Sequence, residues 1–173
     1  MDFLTHLFLP FTVAIVLRPR RLATVRALPL AGFGLLADFD KFLGVPGLLH
    51  SLVTIVPIAV AIVAVERLLR QELYWSPIVV ALVGSHLLLD FFDGGPVPLL
   101  FPLVKTGIGL EYPIRTVFGE GLFGLIFKGP LVALRTTTPL PGYNTYGFVQ
   151  GAGVLNAFVF VIVFTILRER YRT

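Results

Sequence analysis

Apolar runs closed by charged or turn-forming residues divide the chain into five candidate membrane segments. The first runs from Phe3 to Leu17, with Pro10 inside it, and Arg18, Arg20, Arg21 and Arg26 follow. Its start lacks the basic region of a signal peptide, so a retained though short span is expected. The second run, Ala27 to Ala37, ends in Asp38-Phe39-Asp40-Lys41. Eleven residues rise only about 16 Å as an α-helix. The run is therefore either a partial, re-entrant crossing or a helix that continues through the carboxylates to Val45. Gly44, Pro46 and Gly47 predict a turn. The third run, Leu48 to Val65, closes with Glu66, Arg67 and Arg70, and Tyr74 and Trp75 in the next connection suit an interfacial belt. The fourth spans Pro77 to Phe92, and Gly94, Gly95 and Pro96 stop it. The fifth, Gly147 to Leu167, is followed by Arg168, Glu169, Arg170 and Arg172. Residues 97–146 mix Gly, Pro and scattered charge around apolar patches, which predicts amphipathic helices or a re-entrant cap. The predicted fold is all-α: one polytopic membrane bundle over residues 1–173 with about five membrane segments.

Composition strengthens this picture. The 173-residue chain is 56% hydrophobic and 14% charged, against about 25% charged in soluble domains, and its mean hydropathy is +0.89. The absence of cysteine excludes disulfides, thiolate zinc sites and a cysteine nucleophile. The net charge of +4 fits membrane topology rather than nucleic-acid binding, because the basic residues lie between apolar runs. Clusters at 18–26, 67–70 and 168–172 hold nine of the fourteen basic residues. Placing all three clusters on the cytoplasmic side gives a consistent five-crossing path. His6, Asp38, Asp40, His50, His86 and Asp90 then reach one depth, near the extracytoplasmic interface of the cell membrane.

That convergence identifies the candidate chemistry. His86, Asp90 and Asp93 are spaced i, i+4 and i+7, so a helix projects them from one face. Neutral imidazoles and carboxylates together bind divalent metals, with zinc the first expectation and manganese or magnesium the alternatives. His6, Asp38, Asp40, His50, His86 and Asp90 form the candidate ligand set, with Asp38 or Asp40 also a candidate catalytic base. Asp2, one turn before His6, is a weaker candidate. The plainer reading makes Asp38 and Asp40 an exposed turn with Lys41 as a salt partner. Glu111 and Glu120 are either solvated or auxiliary groups. Zinc-protease, serine-elbow and phosphate-loop motifs are absent from the sequence.

Five stretches carry a family resemblance: Thr5-His6, Leu36-Ala37-Asp38-Phe39-Asp40, Leu49-His50-Ser51, Gly84-Ser85-His86-Leu87-Leu88-Leu89-Asp90, and Gly95-Pro96-Val97-Pro98-Leu99-Leu100-Phe101-Pro102. In order and spacing they resemble the YdjM-like family of membrane-bound metal-dependent hydrolases, which looks distantly related to zinc-dependent phospholipase C and the single-strand-specific zinc nucleases. The resemblance covers roughly residues 1–104. It implies a helical fold, clustered metals and hydrolysis of a phosphoester, and the depth of the site near the headgroups favours a phospholipid or lipid-linked substrate. Carried over by position, it implies His6, Asp38, His50, His86 and Asp90 as ligands, and Asp40 with them. The chain departs at Val45-Pro46-Gly47-Leu48-Leu49, where the family often has His-Arg-Gly-x-Thr, which implies either a reduced mono- or dinuclear site or an inactive relative. Two readings from other classes stand beside the hydrolase: a non-catalytic membrane scaffold, and a transport protein using the cluster as an ion or proton relay.

Overall fold

In the computed structural model, residues 2–93, 95–112, 114–119, 122–127, 129–136 and 149–171 are described. Helix α1 (Phe3–Leu17) is followed by the short α2 (Pro19–Leu22), a 3-10 helix (Val25–Asp38) and the short α3 (Phe39–Phe42). Then come α4 (Leu52–Arg70), α5 (Ser76–Phe92), four strands and α6 (Gly151–Arg170).

The clasp between α1 and α6 is built from their N-termini. Asp2 caps α1 by accepting from the Thr5 amide at 2.9 Å, and its second oxygen accepts from the Gln150 amide at 2.6 Å, just before α6. Burial alone would raise the Asp2 carboxyl, but these bonds outweigh it and hold the pKa below the ordinary carboxylate value. Asn156 donates to the Thr5 hydroxyl, and the Phe160 ring stacks on Phe8 at 4.9 Å and leans on Phe11 at 6.0 Å. The two helices therefore run parallel. Phe11, Ile15, Leu22, Ala27, Ala31, Leu82 and Phe160 make the larger apolar core.

The 3-10 helix explains how so short a second segment reaches the far end of the bundle. At about 2.0 Å per residue, fourteen residues cover about 28 Å, whereas an α-helix would cover about 21 Å. Residues three apart eclipse in this geometry. Ala31, Gly34 and Ala37 thus form one face of small buried side chains, which lets the element lie between α1 and α5.

Helix α5 runs antiparallel to α1, since His86 stacks on His6 at one end while Arg21 covers the Tyr74 ring at the other. The α4–α5 connection is fixed by Glu66, whose two oxygens accept from the Trp75 and Ser76 amides, each at 2.7 Å. At the opposite end Ser51 caps α4 through the Val53 amide and donates its hydroxyl to the Phe101 carbonyl at 2.6 Å. The Val97–Pro102 stretch is thereby tied over the start of α4, and Val97 pairs with Ile108.

One expectation is corrected here. The chain is mostly helical but not all-α. β1 (Thr106–Leu110) pairs antiparallel with β4 (Val132–Thr136), and β2 (Ile114–Gly119) pairs with β3 (Leu122–Phe127). Segments such as Ile114-Arg115-Thr116-Val117-Phe118 are rich in β-branched and aromatic residues, which favour a pleated surface, so strands replace the expected amphipathic or re-entrant helices. Glu111 on this ribbon is paired with Arg135, while Glu120, residues 137–148 and Gly94 of the expected helix stop lie outside the described residues.

The expected five-segment layout is not confirmed. Among the described residues, two helices, α4 and α6, are long and apolar enough to cross a membrane. Only 6% and 11% of their apolar windows are buried within the chain, so they are not core helices of this fold. α1 and α5 are apolar but shorter, about 22 and 25 Å against a hydrocarbon core of about 30 Å.

Candidate metal centre

Three buried imidazoles meet at the end of the bundle opposite the arginine-rich helix ends. His6 is brought there by α1, His86 by α5 and His50 by the turn leading into α4. The His6 and His86 rings stack with centroids 4.0 Å apart, and His50 meets His86 edge-on at 5.1 Å.

Each ring is held through the same nitrogen. His6 Nδ1 lies 3.0 Å from the Asp2 carbonyl oxygen, His86 Nδ1 2.7 Å from the Gly34 carbonyl oxygen, and His50 Nδ1 2.8 Å from Asp40 Oδ2. A carbonyl or carboxylate can only accept, so each Nδ1 carries the proton and donates it. Each Nε2 is then left with its lone pair directed inward. This is how metal-binding histidines are oriented by the groups behind them.

The carboxylates that face those nitrogens are Asp90 and Asp38. Asp90 Oδ1 lies 3.1 Å from His6 Nε2, and Asp90 Oδ2 lies 3.4 Å from both His50 Nε2 and His86 Nε2. Asp38 Oδ1 lies 3.5 Å from His86 Nε2 and 3.8 Å from His50 Nε2. Donors bound at about 2.0–2.1 Å to a tetrahedral ion stand about 3.3–3.4 Å apart, close to most of these separations. His6 Nε2 and His86 Nε2 are buried without a hydrogen-bond partner. Leaving such groups unsatisfied is costly, and the 3.1 Å approach of His6 to Asp90 is not aligned as a hydrogen bond. These observations fit a bound cation.

The donors fall into two overlapping groups, His6–His86–Asp90 and Asp38–His50–His86. His86 belongs to both but has a single free nitrogen, so it can serve an ion in one group or in the other, not in both.

Asp40 stands elsewhere. It is fully buried, and its Oδ2 accepts from the Gly47 amide at 2.8 Å, the Leu49 amide at 3.1 Å and His50 Nδ1. It lies behind His50 and belongs to neither donor group. Burial pulls the His50 pKa down, but the Asp40 and Asp90 carboxylates beside the ring outweigh it and hold it above the ordinary imidazole value. Lys41 is paired with Asp38 Oδ1, as the plainer reading of that turn expected. Asp93 is exposed at the end of α5, away from the i, i+4 pair.

The sequence reading named His6, Asp38, His50, His86 and Asp90 as candidate ligands, and the structure brings these side chains together. It missed two backbone contributions, the carbonyls of Asp2 and Gly34. It also missed why Gly34 is glycine: a Cβ there would lie 2.4 Å from the His6 carbonyl oxygen. That carbonyl is left without its helical partner because Pro10, four residues on, has no N–H. The departure at residues 45–49 has a structural counterpart as well. Gly47, at φ +99°, and Leu49 use their backbone amides on Asp40, so no side chain is needed there.

The family model described as YdjM inner membrane protein matches residues 1–171. No curated protein and no solved structure matches the chain.

Proposed function

The chain belongs to the YdjM inner membrane protein family, and from that premise we propose that it is a membrane-bound metal-dependent hydrolase cleaving a phosphoester in a lipid or lipid-linked substrate. One observation carries the reading: three histidines have their Nδ1 atoms occupied by oxygen acceptors while their Nε2 atoms converge on Asp38 and Asp90. In this proposal His6, His50, His86, Asp38 and Asp90 surround a single divalent ion. Three imidazoles favour zinc over magnesium, with manganese the alternative. When bound, such an ion lowers the pKa of water and polarises a phosphoryl oxygen.

The chain's own residues divide the remaining work. Asp38 is partly exposed, at 22%, with Oδ1 turned to the histidines, and its Oδ2 takes the proton from the attacking water. Lys41, also partly exposed, neutralises Asp38 and receives a non-bridging oxygen of the substrate. Asp40 is too buried to meet substrate. Its role is to fix the His50 tautomer and ring orientation, in place of the base or ligand role expected from the sequence.

Sidedness follows from charge. Arg18, Arg20, Arg21, Arg67, Arg70, Arg168 and Arg170 lie at the helix ends opposite the histidines. The positive-inside rule favours placing the cluster in the extracytoplasmic headgroup layer, and such a position would favour a lipid over a soluble substrate.

The test uses the full chain, loaded with zinc and reconstituted in vesicles containing phosphatidic acid, with release of inorganic phosphate as readout. Release that is stopped by chelation, restored by zinc and abolished in Asp38→Asn is expected. Release that persists after chelation, or its absence from protein with full metal content across a panel of phosphoester lipids, would overturn the hydrolase assignment.

A further inference from the structure

A second feature lies away from the metal cluster. A groove of about 590 Å³ runs between α1 and α5, with Leu9 and Val13 on one wall and Ile78, Ala81 and Leu88 on the other. Its lining is apolar along the helices. At the end remote from the histidines it is closed by Arg18, Arg21 and Tyr74. The Arg21 guanidinium sits 4.1 Å over the Tyr74 ring, a stacking that holds a cation's plane in place while leaving its edge to bind.

The dimensions identify what fits. Along α5 the lining reaches from Pro77 to Phe92, about 22 Å at 1.5 Å per residue. Over that length the groove is about 9 Å across, narrower than an α-helix of about 10–12 Å. That width suits a single hydrocarbon chain. The two guanidiniums at its mouth are donors for a phosphate, and no carboxylate lines the groove to oppose an anion.

We propose that this groove is a binding site for an anionic glycerophospholipid, one acyl chain lying between α1 and α5 and the phosphate held by Arg18 and Arg21. The lipid belongs to the leaflet at the arginine end. Its headgroup is therefore separated from the histidine cluster by the length of the bundle, and it is a resident lipid rather than the substrate. The proposal stands whether or not the metal centre is catalytic.

The experiment is native mass spectrometry of the detergent-purified full chain titrated with phosphatidylglycerol or phosphatidylcholine of identical chains. The wild type is expected to retain phosphatidylglycerol preferentially. A basic residue near an anionic headgroup contributes about five-fold, so Arg18→Gln with Arg21→Gln is expected to lose about twenty-five-fold in phosphatidylglycerol affinity and little in phosphatidylcholine. Ala81→Trp, at an exposed position on the groove wall, is expected to weaken both lipids by filling the channel. Arg67→Gln with Arg70→Gln, on α4 outside the groove, should leave the preference intact. Equal retention of the two lipids by the wild type, or an equal loss in the α4 variant, would overturn the assignment.

Discussion

Gly34→Ala perturbs the metal centre without touching a donor atom. The added Cβ would stand 2.4 Å from the His6 carbonyl oxygen, whereas a carbon meets a carbonyl oxygen comfortably at about 3.3 Å. The 3-10 helix must therefore shift by about 0.9 Å relative to α1. The same residue's carbonyl accepts from His86 Nδ1 at 2.7 Å. A shift of that size turns this bond into a clash or stretches it to about 3.6 Å, beyond a hydrogen bond. Overpacking costs about 1–3 kcal/mol, and a buried nitrogen left unsatisfied costs about 1–3 kcal/mol more. A loss of about 2–6 kcal/mol is expected, with metal affinity reduced about 10–100-fold as His86 loses its orienting partner. Gly32→Ala is the matched control, because a Cβ there meets nothing within 4 Å; it should be neutral or slightly stabilising. Thermal unfolding followed by the fluorescence of Trp75, beside a competitive zinc titration, reads both quantities. If Gly34→Ala and Gly32→Ala behave alike in both assays, the wedge between α1 and α5 does not position His86 and the reasoning fails.

Asp40→Asn removes the charge behind His50 while nearly preserving its shape; metal affinity should fall about 10–100-fold with stoichiometry still reached at saturating zinc. Complete loss of metal would instead make Asp40 a ligand. Asp2→Ala should lower stability by about 0.5–2 kcal/mol through the lost cap, yet retain metal, because His6 is held by the Asp2 backbone carbonyl rather than its side chain; metal loss as large as in His6→Ala would contradict that. Phe160→Ala, removing the ring packed between Phe8, Phe11 and Phe164, should cost about 3–5 kcal/mol and release α6 first, as seen by faster hydrogen exchange there than in α5.

What could be read in the sequence was whatever depends on spacing and charge bias. His86 and Asp90 share a face because helical periodicity demands it, and the arginine clusters set the depth at which His6, Asp38 and His50 join them. Asp40 could not be placed this way. Asp38-x-Asp40 looks like two equivalent carboxylates, and only the turn of Gly47, which brings two backbone amides onto Asp40, separates their roles. The reach of residues 25–38 was equally hidden, because it depends on a 3-10 rise adopted so that Ala31, Gly34 and Ala37 can pack closely. The strands within 106–136 stand where amphipathic helices or a re-entrant cap were expected, since glycines interrupt the apolar residues and blur a two-residue period.

Elemental analysis of the full chain, purified in detergent and re-equilibrated with zinc, tests the central claim most directly. One ion per chain is predicted in the wild type, and none in His86→Ala or Asp90→Ala, both folded by Trp75 fluorescence. A wild type that takes up no metal, or a folded His86→Ala that keeps its ion, would contradict the account.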